Sequence, residues 1–173
     1  MKIRNGFVSN SSSSSFVVAF PHMPMSVEDL RQMLFGKETQ YYSPYSEDTY
    51  KTGYRVTITP TWPTRQVAES VWEQISNQTV NNKEAIADAA RGGDFEGTPE
   101  YDYHRDSCDK AYWDDFYHQE DEAAEKWVDT FIKEHADSAI YTFEFSDNEG
   151  SYGCALEHGN LFENLPHIQV SRH

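Results

Sequence analysis

Acidic and histidine side chains near the C-terminal end of the chain could perform metal or acid–base chemistry. Imidazole and carboxylate groups are the ligands of divalent metals and the partners in general acid–base pairs. The candidate catalytic residues are Glu157, His158 and His167. The candidate metal ligands are Asp147, Glu149, His158 and His167. Their spacing matches no compact ligand motif, so the alternative is an acidic turn with a histidine that bonds a backbone carbonyl.

A second group of acidic, histidine and cysteine residues lies between residues 104 and 122. On a helix, Asp114 and Asp115 would lie one turn before His118, with Glu122 one turn after it, on a shared face. Carboxylate-rich metal sites in helical bundles need such a motif twice, and the sequence contains it once. A solvated acidic face opposite an aromatic core stripe is the simpler interpretation.

Nucleophilic catalysis has little support. Of the two cysteines, Cys154 lies in a predicted apolar strand and Cys108 lies in an acidic loop, which disfavours a thiolate. Neither a Gly-x-Ser-x-Gly motif nor a glycine-rich dinucleotide motif occurs. We therefore expect no cofactor, and an enzyme function would depend on the C-terminal Glu and His residues.

Tyrosines interleaved with acidic residues are the other chemically informative feature. Tyrosine is enriched at protein interfaces because it supplies a large apolar area with a polar tip. The alternative is that most of these rings complete a core that is short of aliphatic residues. The residues that we expect at a partner-binding surface are Tyr41, Tyr42, Tyr45, Tyr50, Tyr101, Tyr103, Asp114 and Asp115.

The charge balance narrows the classes of partner. The chain has 14 Lys and Arg against 29 Asp and Glu, a formal net charge of −15 at pH 7. Nucleic-acid binders neutralise phosphates with clustered cations, and no such cluster occurs, so we expect no direct nucleic-acid binding. The negative electrostatic field of such a protein instead favours a protein partner with a basic surface.

Membrane insertion and secretion are not indicated by the sequence. No window approaches the ~18 apolar residues that span a bilayer, so we expect no membrane association. The two cysteines and the lack of a signal-like N-terminus favour a cytoplasmic location with reduced thiols.

Hydrophobic periodicity and capping residues predict the elements that position these side chains. The apolar run 16–20 predicts a strand buried on both faces, preceded by another at 3–8. Residues 37–53 and 94–110 read as polar, tyrosine-rich loops. Further strands are predicted at 56–59 and 167–171, with a hairpin at 140–156 whose turn is at 147–150. Helices are predicted at 27–35 after the cap Ser26, at 63–75, from Asn81 or Asn82 as cap to Gly92, and from about 112 to 135–137.

The strands cluster towards the end of the chain and do not alternate with helices, which predicts an α+β fold. We expect one domain over residues 1–173. Its mostly antiparallel sheet would contain the N-terminal strand, the C-terminal hairpin and the last strand, packed by about four helices.

A serine-rich tract follows the first residues, in the stretch Gly6-Phe7-Val8-Ser9-Asn10-Ser11-Ser12-Ser13-Ser14-Ser15-Phe16. This stretch resembles the start shared by many uncharacterised proteins of tailed phages and bacteria. The segments at 146–150, 156–159 and 165–167 also look like members of that group. The resemblance implies a phage or mobile-element origin and implies no activity. For the tract itself, a polar turn between two strands competes with a recognition signal and with an anion-binding loop.

These observations favour a non-catalytic interaction protein of phage or prophage origin. It would bind a host or phage protein through an acidic, tyrosine-rich surface in the bacterial cytoplasm. One alternative is a metal-assisted hydrolase or nucleotide-handling enzyme that uses the C-terminal Glu and His residues. The other is a minor component of the virion.

Overall fold

Helices and antiparallel strands make up an α+β fold, as the sequence predicts. The computed structural model describes residues 13–51, 53–102, 104 and 109–172, with their side chains except at 49–51, 149 and 172. The described elements are β1 (Ser13–Phe20), α1 (Val27–Phe35), β2 (Gln40–Tyr42), β3 (Glu47–Lys51), β4 (Tyr54–Ile58), β5 (Thr61–Pro63), α2 (Thr64–Ile75), α3 (Lys83–Ala90), α4 (Lys110–Glu134), β6 (Ala139–Ser146), a 3-10 turn (Asp147–Glu149), α5 (Gly150–His158) and β7 (His167–Arg172).

The apolar run near the N-terminus forms the centre of a three-stranded sheet, in the order β6-β1-β7. β1 pairs antiparallel with both neighbours, so that Phe16 lies opposite Phe143 on one side and Gln169 on the other. Residues 14–20 are all buried. The predicted doubly buried strand is confirmed, because both of its edges and both of its faces are covered.

Two separate apolar cores lie against the two faces of this sheet. On one face, Phe16 and Phe20 of β1 pack with Phe143 of β6 and with apolar residues of α1, α2 and α5. On the other face, Val17 and Ile140 pack with residues of α3 and α4. Each fully buried side chain of this size stabilises the fold by roughly 1.5–3 kcal/mol. Any surface on α4 therefore lies on the opposite side of the sheet from α5.

The predicted helix boundaries are confirmed where a capping side chain marks them. The Ser26 hydroxyl accepts a hydrogen bond from the Asp29 amide at the start of α1, and Asn82 caps α3 in the same way. Asp109 caps α4 by accepting from the Tyr112 amide, which sets the start of the longest described helix. Side-chain caps satisfy backbone N–H groups that have no partner within the helix.

The predicted C-terminal hairpin is wrong. Residues 147–158 form the 3-10 turn and α5, and β6 pairs with β1 and not with residues 152–156. A short apolar run cannot distinguish a strand from a buried helix by its periodicity. Here Gly153, Ala155 and Leu156 are buried at helical spacing, and Cys154 is partly exposed on the same helix.

The stretch 37–53 is not the loop that its composition predicts. β2 pairs with β5, and β3 pairs with β4, in two small antiparallel sheets. β4 corresponds to the strand predicted at 56–59, whereas β2, β3 and β5 lack a run of alternating apolar and polar residues long enough to predict a strand. With α5, the described residues form five α-helices where the sequence predicts about four.

Part of the serine tract belongs to β1 and is not a polar turn. Ser14 and Ser15 are buried, and Ser13 lies opposite Ser146 of β6 and Arg172 of β7. The earlier part of the tract and the strand predicted at 3–8 lie outside the described residues. Within the described ranges, no helix combines the length and the apolar character that crossing a membrane requires.

Candidate functional site

A buried polar cluster joins β1, α5 and β7, and it contains one of the candidate catalytic residues. The Glu157 side chain is fully buried, at 0 % relative exposure. The Ser14 hydroxyl donates to Glu157 Oε1 at 3.4 Å. Gln169 Nε2 donates to Ser14 Oγ at 3.1 Å and to the Glu157 carbonyl at 2.8 Å. Ser171 Oγ lies 3.4 Å from Ser14 Oγ. We call Ser14, Glu157, His158, Gln169 and Ser171 the Glu157 cluster.

His158 is partly exposed, and two other members of the cluster, Gln169 and Ser171, are exposed to solvent. His158 Nε2 lies 3.5 Å from Glu157 Oε2, and the His158 side chain is 27 % exposed. The Tyr45 ring packs edge-on against the imidazole at 5.9 Å. No described residue donates a hydrogen bond to Glu157 Oε2, so the imidazole is its nearest described polar partner. A buried carboxylate needs such compensation because desolvation strongly disfavours an isolated charge.

The other predicted metal ligands are not assembled around this pair. His167 Nδ1 lies 2.9 Å from the Leu165 carbonyl oxygen, which confirms the alternative of a histidine bonded to backbone. Asp147 is in the 3-10 turn, and the Glu149 side chain lies outside the described residues. In the described part of the chain, no three His, Cys, Asp or Glu side chains are grouped so that they could hold a metal ion.

Cys154 lies one helical turn before His158, but its surroundings do not favour a thiolate. Burial raises the pKa of the Cys154 thiol, and the negative charges of Glu157, Asp147 and Glu47 raise it further. Thiolate nucleophiles need the opposite, an electropositive environment that lowers the pKa. Cys108 lies outside the described residues.

Tyr41 is a core residue, so its prediction as a partner-binding residue is wrong. Its side chain is only 7 % exposed, and its hydroxyl donates to the Ala155 carbonyl at 2.7 Å. The ring also packs on Phe35, with centroids 5.7 Å apart. A Cβ atom at Gly159 would collide with the Tyr41 hydroxyl and the Ala155 carbonyl, so the absence of a side chain there permits this packing.

The remaining predicted tyrosines do not form one surface. Tyr42 and Tyr45 are exposed near β2, on the side of the sheet that carries α5. Tyr101 is exposed beside α4, on the opposite side. Tyr50 pairs through its backbone with Arg55 in the β3–β4 hairpin, while its side chain and the whole of Tyr103 lie outside the description.

The first turns of α4 combine exposed rings with carboxylates. Trp113 contacts Tyr101 at a centroid distance of 5.2 Å and Tyr117 at 6.2 Å, and these two tyrosines are 52 % and 56 % exposed. Both neighbouring carboxylates are exposed: Asp114 accepts from Lys110, and Asp115 accepts from Gln119. We call Tyr101, Trp113, Asp114, Asp115 and Tyr117 the α4 surface.

The rest of α4 continues the acidic character of this surface. The helix contains eight acidic and three basic residues. His118 and Glu122 are exposed and lie 3.3 Å apart, whereas Phe116 and Phe131 are buried, so the predicted acidic face opposite an aromatic stripe is confirmed. Tyr117 is one of the tyrosines interleaved with acidic residues in the sequence, and its spacing of four from Trp113 places both on one side of the helix.

Comparisons with protein-family models, with curated proteins and with solved structures found no match to this chain. The described structure contains two candidate sites, the Glu157 cluster and the α4 surface. The Glu157 cluster can hold an imidazole in position, but Glu157 itself is closed to solvent. The α4 surface is open and offers both apolar area and negative charge.

Proposed function

We propose that this chain is a non-catalytic interaction protein that binds a protein with a basic surface through the α4 surface. The observation that carries the proposal is that Tyr117, Asp114 and Asp115 are exposed on α4, with the exposed Tyr101 ring packed beside them on Trp113. The two tyrosines are 52 % and 56 % exposed, so each could bury further area against a partner.

The α4 surface offers a partner both apolar ring area and negative charge. Tyrosine rings that are already packed against Trp113 lose little side-chain freedom on binding, which lowers the entropic cost of association. The aspartates favour a partner of opposite charge, and the net charge of −15 increases the rate of encounter with basic surfaces. The same charge opposes binding of nucleic acid.

The Glu157 cluster supports this reading over an enzyme. A general acid or base must reach the proton that it transfers, and Glu157 is fully buried. The cluster also connects the two sequence segments that resemble phage and bacterial proteins, since Ser14 bonds Glu157. We interpret those segments as parts of one structural unit, and we propose a phage or prophage origin with action inside the bacterial cell.

Capture of partners from bacterial lysate tests the proposal. The tagged chain is compared with a variant carrying Asp114→Asn, Asp115→Asn and Tyr117→Ser. A control variant carries Tyr54→Ser and Glu69→Gln, two exposed positions away from the α4 surface. We expect the chain and the control to retain a basic protein that the α4 variant loses, with capture reduced about tenfold at high salt because exposed charges are screened.

Two results would overturn the proposal. One is equal capture by the chain and by the α4 variant. The other is a partner whose retention does not change with ionic strength. Circular dichroism of each variant checks that the variant is folded, so that a loss of capture is not caused by unfolding.

A further inference from the structure

The outer edge of β6 is occupied by side-chain amides where another strand would be expected. β6 pairs with β1 on one side, and its other side faces α2 and the connection from α2 to α3. Edge strands carry a row of backbone N–H and C=O groups that can pair with another chain. On β6 the groups that point outward belong to Ile140, Thr142 and Glu144. Amide side chains bond all of these groups except the Ile140 carbonyl, which accepts from a backbone amide.

The two glutamine contacts are reciprocal. Gln78 Nε2 donates to the Thr142 carbonyl at 2.6 Å, and the Thr142 amide donates to Gln78 Oε1 at 3.1 Å. Gln74 repeats the arrangement at Glu144, with both contacts at 3.3 Å. Each primary amide therefore imitates the paired donor and acceptor of a neighbouring peptide group.

Asn81 completes the row at Ile140. The Ile140 amide donates to Asn81 Oδ1 at 2.7 Å, and the Asn81 backbone amide donates to the Ile140 carbonyl at 3.0 Å. Asn81 adopts a left-handed conformation, with φ of 56°. Asparagine tolerates this region better than most residues, and the conformation lets its side chain and its backbone contact the same residue. We call Gln74, Gln78 and Asn81 the amide row.

The spacing of the amide row matches the strand. Successive outward residues of a strand are separated by about 6.6–6.8 Å, and one turn of helix advances by about 5.4 Å. Gln74 and Gln78 are four residues apart, and the Gln78 amide still donates to the Ile75 carbonyl at 3.0 Å, so the chain continues its helical path there. The long glutamine side chains accommodate the small difference.

The sequence of β6 explains why this edge needs cover. Ile140 to Phe145 is a run of β-branched and aromatic residues with a single charge, at Glu144. Segments of this composition pair readily with identical segments when their edge is free. In an antiparallel pair of two copies centred on Thr142, Ile140 of one copy would lie opposite Glu144 of the other.

We propose that the amide row seals β6 against strand addition, and that β6 becomes a self-pairing surface for a second copy of this chain when the row is removed. The occupant is a second copy because a strand of this composition, with one charge among β-branched and aromatic residues, favours pairing with an identical strand. This inference does not depend on the proposed function, since none of its residues belongs to the α4 surface.

The experiment replaces both glutamines of the row with methionine, which has a similar length and a high helix propensity but no amide. Gln66→Met on the exposed side of α2 is the matched control. Backbone amide exchange is measured at Thr142 and Glu144, and oligomeric state is measured by sedimentation velocity over a range of concentrations in moderate salt.

We expect the parent chain and the control to sediment as monomers with protected amides. At low concentration, Gln74→Met with Gln78→Met should exchange about tenfold faster or more at Thr142 and Glu144, and at high concentration it should form dimers. Unchanged exchange at these amides, a variant that remains monomeric, or a parent chain already paired through β6 would each overturn the proposal.

A milder variant keeps the test decisive if the double replacement unfolds. Gln78→Glu retains an acceptor for the Thr142 amide but loses the donor to the Thr142 carbonyl. We expect this variant to fold and to dimerise at higher concentration than the double variant. Behaviour identical to that of the parent chain would contradict the proposed role of the amide row.

Discussion

The stability of the protein depends on how the surroundings of Glu157 compensate for the burial of its carboxyl group. Its Oε1 accepts a long hydrogen bond from Ser14, and its Oε2 has the His158 imidazole 3.5 Å away. Burial of a carboxylate is tolerated when neighbouring groups compensate for its lost hydration, and it becomes costly when one of those groups is removed.

Replacing His158 with Gln should therefore destabilise the protein, by about 1–2 kcal/mol given that the imidazole is partly exposed. Adding Glu157→Gln to that variant should restore much of the loss, because a neutral amide then replaces the buried carboxyl group that has lost its partner. Urea unfolding of both single variants and the double variant at one pH gives the coupling energy. Additive effects of the two replacements would show that the pair does not interact.

The buried Tyr41 hydroxyl makes the free energy of unfolding fall as the pH rises in the alkaline range. Burial raises the pKa of its hydroxyl above the ordinary value of 10.0, and the nearby Glu163 and Tyr152 raise it further. The folded protein then retains a proton that the unfolded chain releases above pH about 10. This contribution to stability is complete below that pH and is lost as the pH rises further.

Urea midpoints measured from pH about 8 to about 11 should show this loss, and Tyr41→Phe should reduce its slope. The slope should not vanish, because burial also raises the pKa of Tyr141 and of Cys154. At neutral pH the same variant should lose about 1–2 kcal/mol with its hydrogen bond to Ala155. Tyr42→Phe changes an exposed hydroxyl and is the control; an equal effect from it would contradict the assignment.

At the scale of elements, the connection between α2 and α3 is held against β6 by Asn81. Asn81→Ala removes the acceptor for the Ile140 amide and the donor to the Ser138 carbonyl, and it places alanine at a positive φ. We expect a loss of about 2–3 kcal/mol from these combined effects. Thermal unfolding measures it, and Asn77→Ala in the same region should cost less than half as much.

Elements with local signals were predictable from the sequence. β1 has a continuous apolar run, α1 has a serine cap, and α4 has a long helical stripe. α5 was not predictable, because its short apolar run fits either a strand or a helix and the choice depends on what lies along the outer edge of β6. Gln74, Gln78 and Asn81 occupy that edge, and residues 150–158 cover one face of the sheet.

The net charge of −15 acts on the whole molecule. Raising NaCl from about 10 mM to about 300 mM shortens the screening length from about 30 Å to below 10 Å and weakens repulsion among the excess carboxylates. We expect Tm to rise, by about 2–4 °C for each kcal/mol gained. KCl should act equally, which separates screening from binding of one ion. A fall in Tm would show that exposed ion pairs such as Lys83–Asp129 outweigh the repulsion.

The candidate sites were only partly visible in the sequence. The acidic face of α4 followed from helical spacing, because that spacing is a property of one element. The separation of the tyrosines into a buried Tyr41 and two exposed surfaces could not be predicted from the sequence, because it depends on which side of the sheet each element covers. The contact of Ser14 with Glu157 joins residues from opposite ends of the chain, and no local pattern reports it.

The sequence by itself determined the acidic character, the α+β class, the doubly buried β1 and the main helix boundaries. These follow from composition, from apolar periodicity and from capping residues, which act within one element. The tertiary structure alone decided the order β6-β1-β7, the helical state of residues 150–158, the burial of Glu157 and the amide row on β6. Each of these depends on which distant segments share an edge or a face, and that choice is made by packing across the whole chain.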